Sequence, residues 1–160
     1  MERSRGKRFS NLLRIPIGVA IIEKVCRGRV VGEQGMFAIL IVDNNVIFRN
    51  LLWETLNSNF PAVEVYQASS GEEAISMAKT KMPDLIFMDI ELGGENGLNI
   101  VRQIKEDQPD ITVAILTSYD LPEYKEAARR HKVDYFLTKG VSTQEDILSV
   151  VNAAYSARQA

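Results

Sequence analysis

The chain has 160 residues, of which 46% are hydrophobic and 25% charged, and its formal net charge is −2. This length is typical of one domain whose core needs neither a metal nor a disulfide, and the single cysteine, Cys26, excludes an internal disulfide and a multi-cysteine metal cluster. No apolar run approaches the roughly eighteen residues of a membrane span, so we expect a soluble protein of the cytoplasm.

Charge divides the chain near residue 35. Residues 1–35 carry eight basic and three acidic side chains, whereas residues 36–160 carry eleven basic and eighteen acidic ones. Arg14 and Pro16 interrupt the apolar run of this basic leader, which disfavours a secretory signal. A tail that binds a membrane surface or nucleic acid stays open as an alternative. We expect the leader to be disordered, or to be a misplaced start that precedes the true one at Met36.

From Met36 onward, short apolar runs alternate with longer amphipathic segments. This alternation is typical of strand–helix units in a parallel sheet that is covered on both faces. The five predicted strands are residues 37–42, 62–67, 84–88, 111–116 and 134–138. The predicted helices are residues 46–58, a helix capped by Ser69 or Ser70, residues 96–107, residues 122–130, and a last helix that opens at Ser142.

Four of these strands end in polar side chains. Asp43, Asp89 and Thr117 follow the first, third and fourth strands, and Lys139 follows the fifth. Because the carboxyl ends of parallel strands share one edge of the sheet, we expect these groups to meet in a single cleft. Two carboxylates, a hydroxyl and an ammonium in one cleft indicate a phosphoryl-transfer site.

The segments that carry these groups resemble the receiver domains of bacterial two-component response regulators. They are residues 39–43 (ILIVD), 84–90 (DLIFMDI), 116–118 (LTS) and 136–139 (FLTK). The resemblance extends over residues 36–158 and implies an α/β, flavodoxin-like (βα)5 fold, which is a doubly wound parallel sheet with strand order 2-1-3-4-5. We therefore assign residues 36–160 to one receiver domain.

The resemblance also implies the chemistry of the cleft. Asp89 would accept a phosphoryl group from a sensor histidine kinase or a phosphotransfer protein, with Mg²⁺ held by Asp43, Asp89 and the backbone carbonyl of Glu91. Asn44 departs from the family, which usually has a second acid there. An amide keeps an oxygen ligand but loses a negative charge, so we expect weakened metal binding. The alternative is a pseudo-receiver that binds partners without phosphorylation.

Other positions also match the family. The switch and phosphate-binding positions are Thr117, Ser118, Phe136 and Lys139. Thr117 would turn inward to the phosphoryl group, while Phe136 is either the aromatic switch residue or a plain core residue. Glu91 and Tyr119 occupy positions that tune phosphoryl lifetime, and we expect the Tyr119 ring to exclude attacking water.

The resemblance implies a stand-alone signalling receiver that catalyses only its own phosphorylation and dephosphorylation. A downstream protein target, or a second copy, would bind the face formed by the fourth helix, fifth strand and fifth helix, residues 122–157. No helix-turn-helix follows in the chain, so direct DNA binding is not expected. A flavin carrier on the same fold is disfavoured because residues 43–46 (DNNV) make a poor phosphate loop. Trp53 is predicted to be a packing residue or a kinase contact, and His131 a helix cap.

Overall fold

The structure is a computed structural model that describes residues 35–159, so the predictions for the basic leader lie outside the described residues. The strands are β1 (Ala38–Val42), β2 (Glu64–Ala68), β3 (Leu85–Met88), β4 (Glu91–Leu92), β5 (Glu95–Asn96), β6 (Thr112–Thr117) and β7 (Tyr135–Thr138). The helices are α1 (Val46–Asn59), α2 (Gly71–Lys81), α3 (Gly97–Asp107), α4 (Pro122–Arg130) and α5 (Gln144–Gln159). Five strand–helix units are thus present, as predicted.

Five of the strands form one parallel sheet in the order β2-β1-β3-β6-β7. Since β6 and β7 are the fourth and fifth strands of this sheet, the predicted order 2-1-3-4-5 is confirmed. Leu40 of β1 lies opposite Tyr66 of β2 and Ile86 of β3, which fixes the register in the centre of the sheet. Every residue of β1 and β3 is buried, as expected for central strands covered on both faces.

Helices cover both faces of the sheet, so the fold is doubly wound. Alternate residues of β1 enter opposite core layers: Leu40 packs with residues of α2, α3 and α4, and Ile41 packs with residues of α1 and α5. The helices α1 and α5 therefore lie on the same face. Within residues 35–159, no helix combines the length and apolarity that crossing a bilayer requires.

The structure differs from the sequence prediction at several element boundaries. A short antiparallel hairpin, β4–β5, turns at Gly93 and Gly94 with φ of 59° and 101°, where only a turn was predicted. The second strand begins at Glu64 rather than at residue 62, because residues 61–62 form a turn. The last helix begins at Gln144, since Thr143 and Asp146 exchange hydrogen bonds of 2.7 and 3.2 Å and so cap it.

Asparagine caps bring two helices close to the strand ends. The Asn45 side chain accepts hydrogen bonds from the backbone N–H groups of Ile47 and Phe48 at 3.0 and 3.1 Å, which starts α1 directly after β1. Asn96 caps α3 in the same way through the Leu98 N–H at 2.9 Å. Between these caps lies the carboxyl edge of the sheet.

Candidate functional site

Two carboxylates lie side by side at the carboxyl edge of the sheet, and a lysine joins them. Asp43 follows β1 and is 2% exposed, while Asp89 follows the neighbouring β3 and is 7% exposed. The Nζ atom of Lys139 lies 2.5 Å from Oδ2 of Asp43 and 2.9 Å from Oδ2 of Asp89. These three groups together carry one net negative charge. The structure therefore brings together Asp43, Asp89 and Lys139, as the sequence predicted.

Backbone groups hold the second oxygen of each carboxylate. Oδ1 of Asp43 accepts a hydrogen bond from the Asn45 N–H at 2.8 Å, and Oδ1 of Asp89 accepts one from the Glu91 N–H at 3.3 Å. The backbone N–H of Asp89 itself donates to the Val42 carbonyl at 2.9 Å. Each acid is thus oriented by the chain that follows its own strand, and each keeps lone pairs for a further ligand.

Arg49 stabilises the end of β1 through two hydrogen bonds, a role that was not predicted from the sequence. Its Nη1 donates to the backbone carbonyl of Asp43 at 2.6 Å, and its Nε donates to the Gln67 side chain on β2 at 3.0 Å. The sequence spacing could have indicated this role, because Arg49 follows the Asn45 cap by one helical turn. This spacing places Arg49 above the end of β1.

Thr117 closes β6, which lies between β3 and β7, and it is fully buried. Its carbonyl accepts the Lys139 backbone N–H at 2.8 Å, and its Oγ1 accepts the Tyr119 N–H at 3.3 Å. Ser118 is exposed beside it. Phe136 on β7 is half-buried against the core, and Lys125 Nζ lies 5.8 Å from its ring centre. The hydroxyl of Thr117 and the ring of Phe136 thus lie on the neighbouring strands β6 and β7, and β7 leads directly to the lysine.

Tyr119 stands at the rim of the cleft. Its side chain is hydrogen-bonded to Glu91, and this bond and the Glu91 charge raise the pKa of Tyr119 above its usual value of 10.0. Its ring packs edge-on against Tyr124 with 6.2 Å between ring centres, and the residue is 42% exposed. The two positions predicted to tune phosphoryl lifetime are therefore in contact with each other.

Asn44 lies next to this cleft, on the side of the β4–β5 hairpin. The residue is exposed, and a Cβ atom at Gly93 would lie 3.7 Å from its Nδ2 atom. Within residues 35–159, no group of three or more His, Cys, Asp or Glu side chains is placed to hold a metal. The available donors are the carboxylates of Asp43 and Asp89, the Glu91 carbonyl and the Asn44 amide oxygen. This all-oxygen set fits a hard cation such as Mg²⁺, with two acids in place of three.

Two further predicted positions lie away from the cleft. Trp53 is 39% exposed on α1, and its Nε1 donates to the Val65 carbonyl at 3.3 Å. His131 is the C-cap residue of α4, as predicted, with its backbone N–H donating to the Ala127 carbonyl at 3.1 Å. A contact between Trp53 and a kinase stays a prediction.

Comparison with known proteins decides the family. The family model of the response regulator receiver domain matches residues 39–152, which include all five strands of the parallel sheet except the first residue of β1. The chain belongs to the response regulator receiver domain family. It is therefore a receiver of two-component signalling, as its sequence motifs indicated.

Individual relatives agree with this assignment. An uncharacterised response regulatory protein of Staphylococcus epidermidis is 35% identical over 123 residues, a match that covers 72% of this chain and 47% of that protein. The chemotaxis protein CheY of Halobacterium salinarum is 33% identical over 101 residues, covering 63% of this chain and 82% of CheY. The receiver spans about half the length of the first curated relatives that it matches.

Solved structures confirm the fold. A CheY-like receiver domain protein from Methanospirillum hungatei superposes with a TM-score of 0.71 at 20% identity, over 77% of this chain and 96% of that one. A receiver domain protein from Clostridium thermocellum superposes with a TM-score of 0.70 at 24% identity, over 77% and 97% of the two chains. The flavodoxin-like architecture is thus shared with solved structures that are only 20% and 24% identical to this chain.

Proposed function

We propose that this receiver accepts a phosphoryl group on Asp89 from a sensor histidine kinase or a phosphotransfer protein. One observation carries the proposal: the ammonium of the partly buried Lys139 side chain bridges the carboxylates of Asp89 and Asp43. An ammonium at this place neutralises charge on the oxygens of a transferring phosphoryl group, which is most of what such a reaction needs from a protein.

In the proposed step, a carboxylate oxygen of Asp89 attacks the phosphorus atom in line with the leaving group. The new P–O bond forms while the P–N bond to a donor histidine breaks, and the electron pair stays on the departing imidazole nitrogen. With a small acyl phosphate, the P–O bond breaks and the pair leaves with the carboxylate. Lys139 contacts the phosphoryl oxygens throughout, and the Thr117 hydroxyl donates to one of them after it turns away from the Tyr119 N–H.

The donor set at the cleft supports a metal-assisted reaction. Asp43, Asp89, the Glu91 carbonyl and the amide oxygen of Asn44 would hold Mg²⁺, which would neutralise phosphoryl oxygens during transfer. Because Lys139 already offsets one of the two negative charges, we expect weak metal affinity in the resting protein. Asn44 adds to this weakness, since it contributes a dipole rather than a charge.

Phosphorylation would then act as the ligand that shifts a pre-existing equilibrium. Movement of Thr117 toward the phosphoryl group frees the Tyr119 N–H and makes room for Phe136, which is now half-buried on β7. The surface altered by these movements is the face of α4, β7 and α5. We propose that a downstream protein target or a second copy of the receiver binds there, in the cytoplasm.

Two features favour one second candidate, a pseudo-receiver that binds its partner without phosphorylation: Asn44 is an amide, and Lys139 offsets one of the two charges of the acid pair. Intact-mass measurement with acetyl phosphate over a Mg²⁺ titration separates the two functions. We expect one added phosphoryl group on the parent and on Asp107→Ala, which removes an exposed carboxylate remote from the cleft, and none on Asp89→Ala. If the parent stays unlabelled at saturating Mg²⁺ while Asn44→Asp is labelled, the pseudo-receiver is the function.

A further inference from the structure

We infer that Phe48 is a positioning residue for Lys139: its ring face holds the lysine ammonium over Asp89 while the phosphoryl group is transferred. The inference rests on the proposed phosphoryl transfer and adds an aromatic residue of α1 to the site. It starts from a single juxtaposition, since Lys139 Nζ lies 4.3 Å from the centre of the Phe48 ring.

Phe48 is held at both its backbone and its side chain. The residue lies on the first turn of α1, where its backbone N–H donates to the Asn45 side chain at 3.1 Å. Its half-buried ring packs against the core layer shared by α1, α5 and the sheet. A ring held by both a helix cap and the core offers its face in a constant position, which is what a cation–π contact requires.

Lys139 needs a positioning residue, because a lysine side chain is a flexible four-carbon chain with a strongly hydrated charge. The residue precedes Gly140, an exposed loop residue with φ of 78°, and its own backbone is fixed by the N–H bond to the Thr117 carbonyl. Beyond that backbone bond, three groups surround the ammonium: two carboxylates and the Phe48 ring. Its side chain is consequently only 13% exposed.

Unlike the two carboxylates, the Phe48 ring is not changed by the proposed reaction. An oxygen of Asp89 becomes bonded to phosphorus, and Asp43 is a proposed ligand of the metal, so both ion pairs of Lys139 weaken as transfer proceeds. The aromatic face is chemically inert and unchanged by the reaction. Phe48 therefore keeps the ammonium in the cleft while it exchanges its two carboxylate partners for the phosphoryl oxygens.

Fluorination of the ring tests this directly, because it withdraws charge from the ring face with little change in shape. We would place mono-, di- and trifluorophenylalanine at position 48 and measure the rate of labelling by acetyl phosphate. A cation–π contact of ordinary strength predicts a stepwise fall that reaches about three- to fivefold in the trifluoro protein and in Phe48→Leu. The matched control is the same series at Phe37, whose ring lies 5.8 Å from the Arg158 guanidinium, outside the Asp43–Lys139 cluster. There the rate stays constant.

A spectroscopic readout follows the contact itself and needs no phosphorylation. The ε-methylene protons of Lys139, identified by their loss in Lys139→Arg, should be shifted upfield by the Phe48 ring current and return to ordinary values in Phe48→Leu. Thermal unfolding shows whether each protein is folded. If the parent protein shows upfield shifts but accepts no phosphoryl group from acetyl phosphate, the contact between Phe48 and Lys139 exists and the proposed function is rejected. A labelling rate that does not change along the Phe48 fluorine series, or unshifted methylene protons in the parent, would overturn the inference.

Discussion

Replacing Asn44 by aspartate should strengthen the proposed cation site. The cluster of Asp43, Asp89 and Lys139 carries one net negative charge, and the substitution raises this to two. Asn44 is exposed, so a water-like dielectric constant is appropriate to its neighbourhood. At about 4 Å, a unit charge attracts a divalent cation by about 2 kcal/mol in that medium, which corresponds to roughly a thirtyfold tighter Kd for Mg²⁺.

Isothermal titration calorimetry at low ionic strength measures this change in Kd. Asn57→Asp is the matched control, because Asn57 is a partly exposed residue of α1, the helix that follows Asn44, and its amide donates to the Trp53 carbonyl well away from the cleft. It adds the same charge near the far end of α1, where the greater distance weakens the attraction to the cation. Equal tightening in the two variants, or a change below about threefold in Asn44→Asp, would refute the local electrostatic reasoning.

Three further outcomes follow from packing, hydrogen bonding and ion pairing. Gly97→Ala should destabilise the fold by about 1–3 kcal/mol in urea unfolding and slow labelling, because the added Cβ would lie 1.9 Å from the Asp89 carbonyl oxygen. Glu91→Gln should lower the raised pKa of Tyr119 in an absorbance titration; the neutral phenol is the favoured form, so its contribution to stability is present below pH 10 and is lost as the pH rises through the raised pKa. Asp84→Ala should cost about 3 kcal/mol in urea unfolding, since Oδ2 of this half-buried acid binds the Arg158 guanidinium at 2.5 Å and the Ala38 N–H at 2.9 Å.

Each of these variants has a control that introduces the same residue at another position. Asn99→Ala places a methyl on an exposed position of α3, Glu95→Gln neutralises the other hairpin glutamate, and Asp107→Ala removes an acid of an exposed ion pair. Stability losses in Asn99→Ala and Asp107→Ala as large as those in Gly97→Ala and Asp84→Ala would show that the specific contacts are not responsible. A Tyr119 pKa that is unchanged by Glu91→Gln would contradict the assignment of its cause.

The sheet and the meeting of its polar ends were predictable because parallel strands obey simple rules. Apolar runs that alternate with amphipathic segments leave few topologies, and a polar residue directly after such a run lies at the carboxyl edge. The ion pair between Lys139 and Asp43, residues 96 positions apart, follows from that edge alone. The geometry of this ion pair could not be predicted in the same way, because the sequence does not show which of the two acids a flexible lysine binds. In the structure, Lys139 forms an ion pair with both acids.

Elements without periodicity were less predictable. The β4–β5 hairpin has two residues in each strand, too few for any alternation to be visible, and only Gly93 and Gly94 marked a turn there. Helix ends depended on which polar side chain formed the cap: Ser70 accepts the Glu73 N–H, while Ser69 binds the Glu73 carboxylate. Neighbouring serines are equal candidates until the backbone direction is known.

Phe48 shows why a functional site can include residues that lie outside its sequence motif. On a helical wheel it shares an apolar stripe with Leu52 and Leu56, and that pattern indicates a core residue, which it partly is. Its second role arises because α1 and α5 cover the same face of the sheet, so that the loop entering α5 brings Lys139 over the start of α1. A hydrophobic pattern shows that a side chain faces inward, but it does not show which charge lies over the face of its ring. Phe48 is therefore a candidate member of the proposed phosphoryl-transfer site that the sequence motif alone does not indicate.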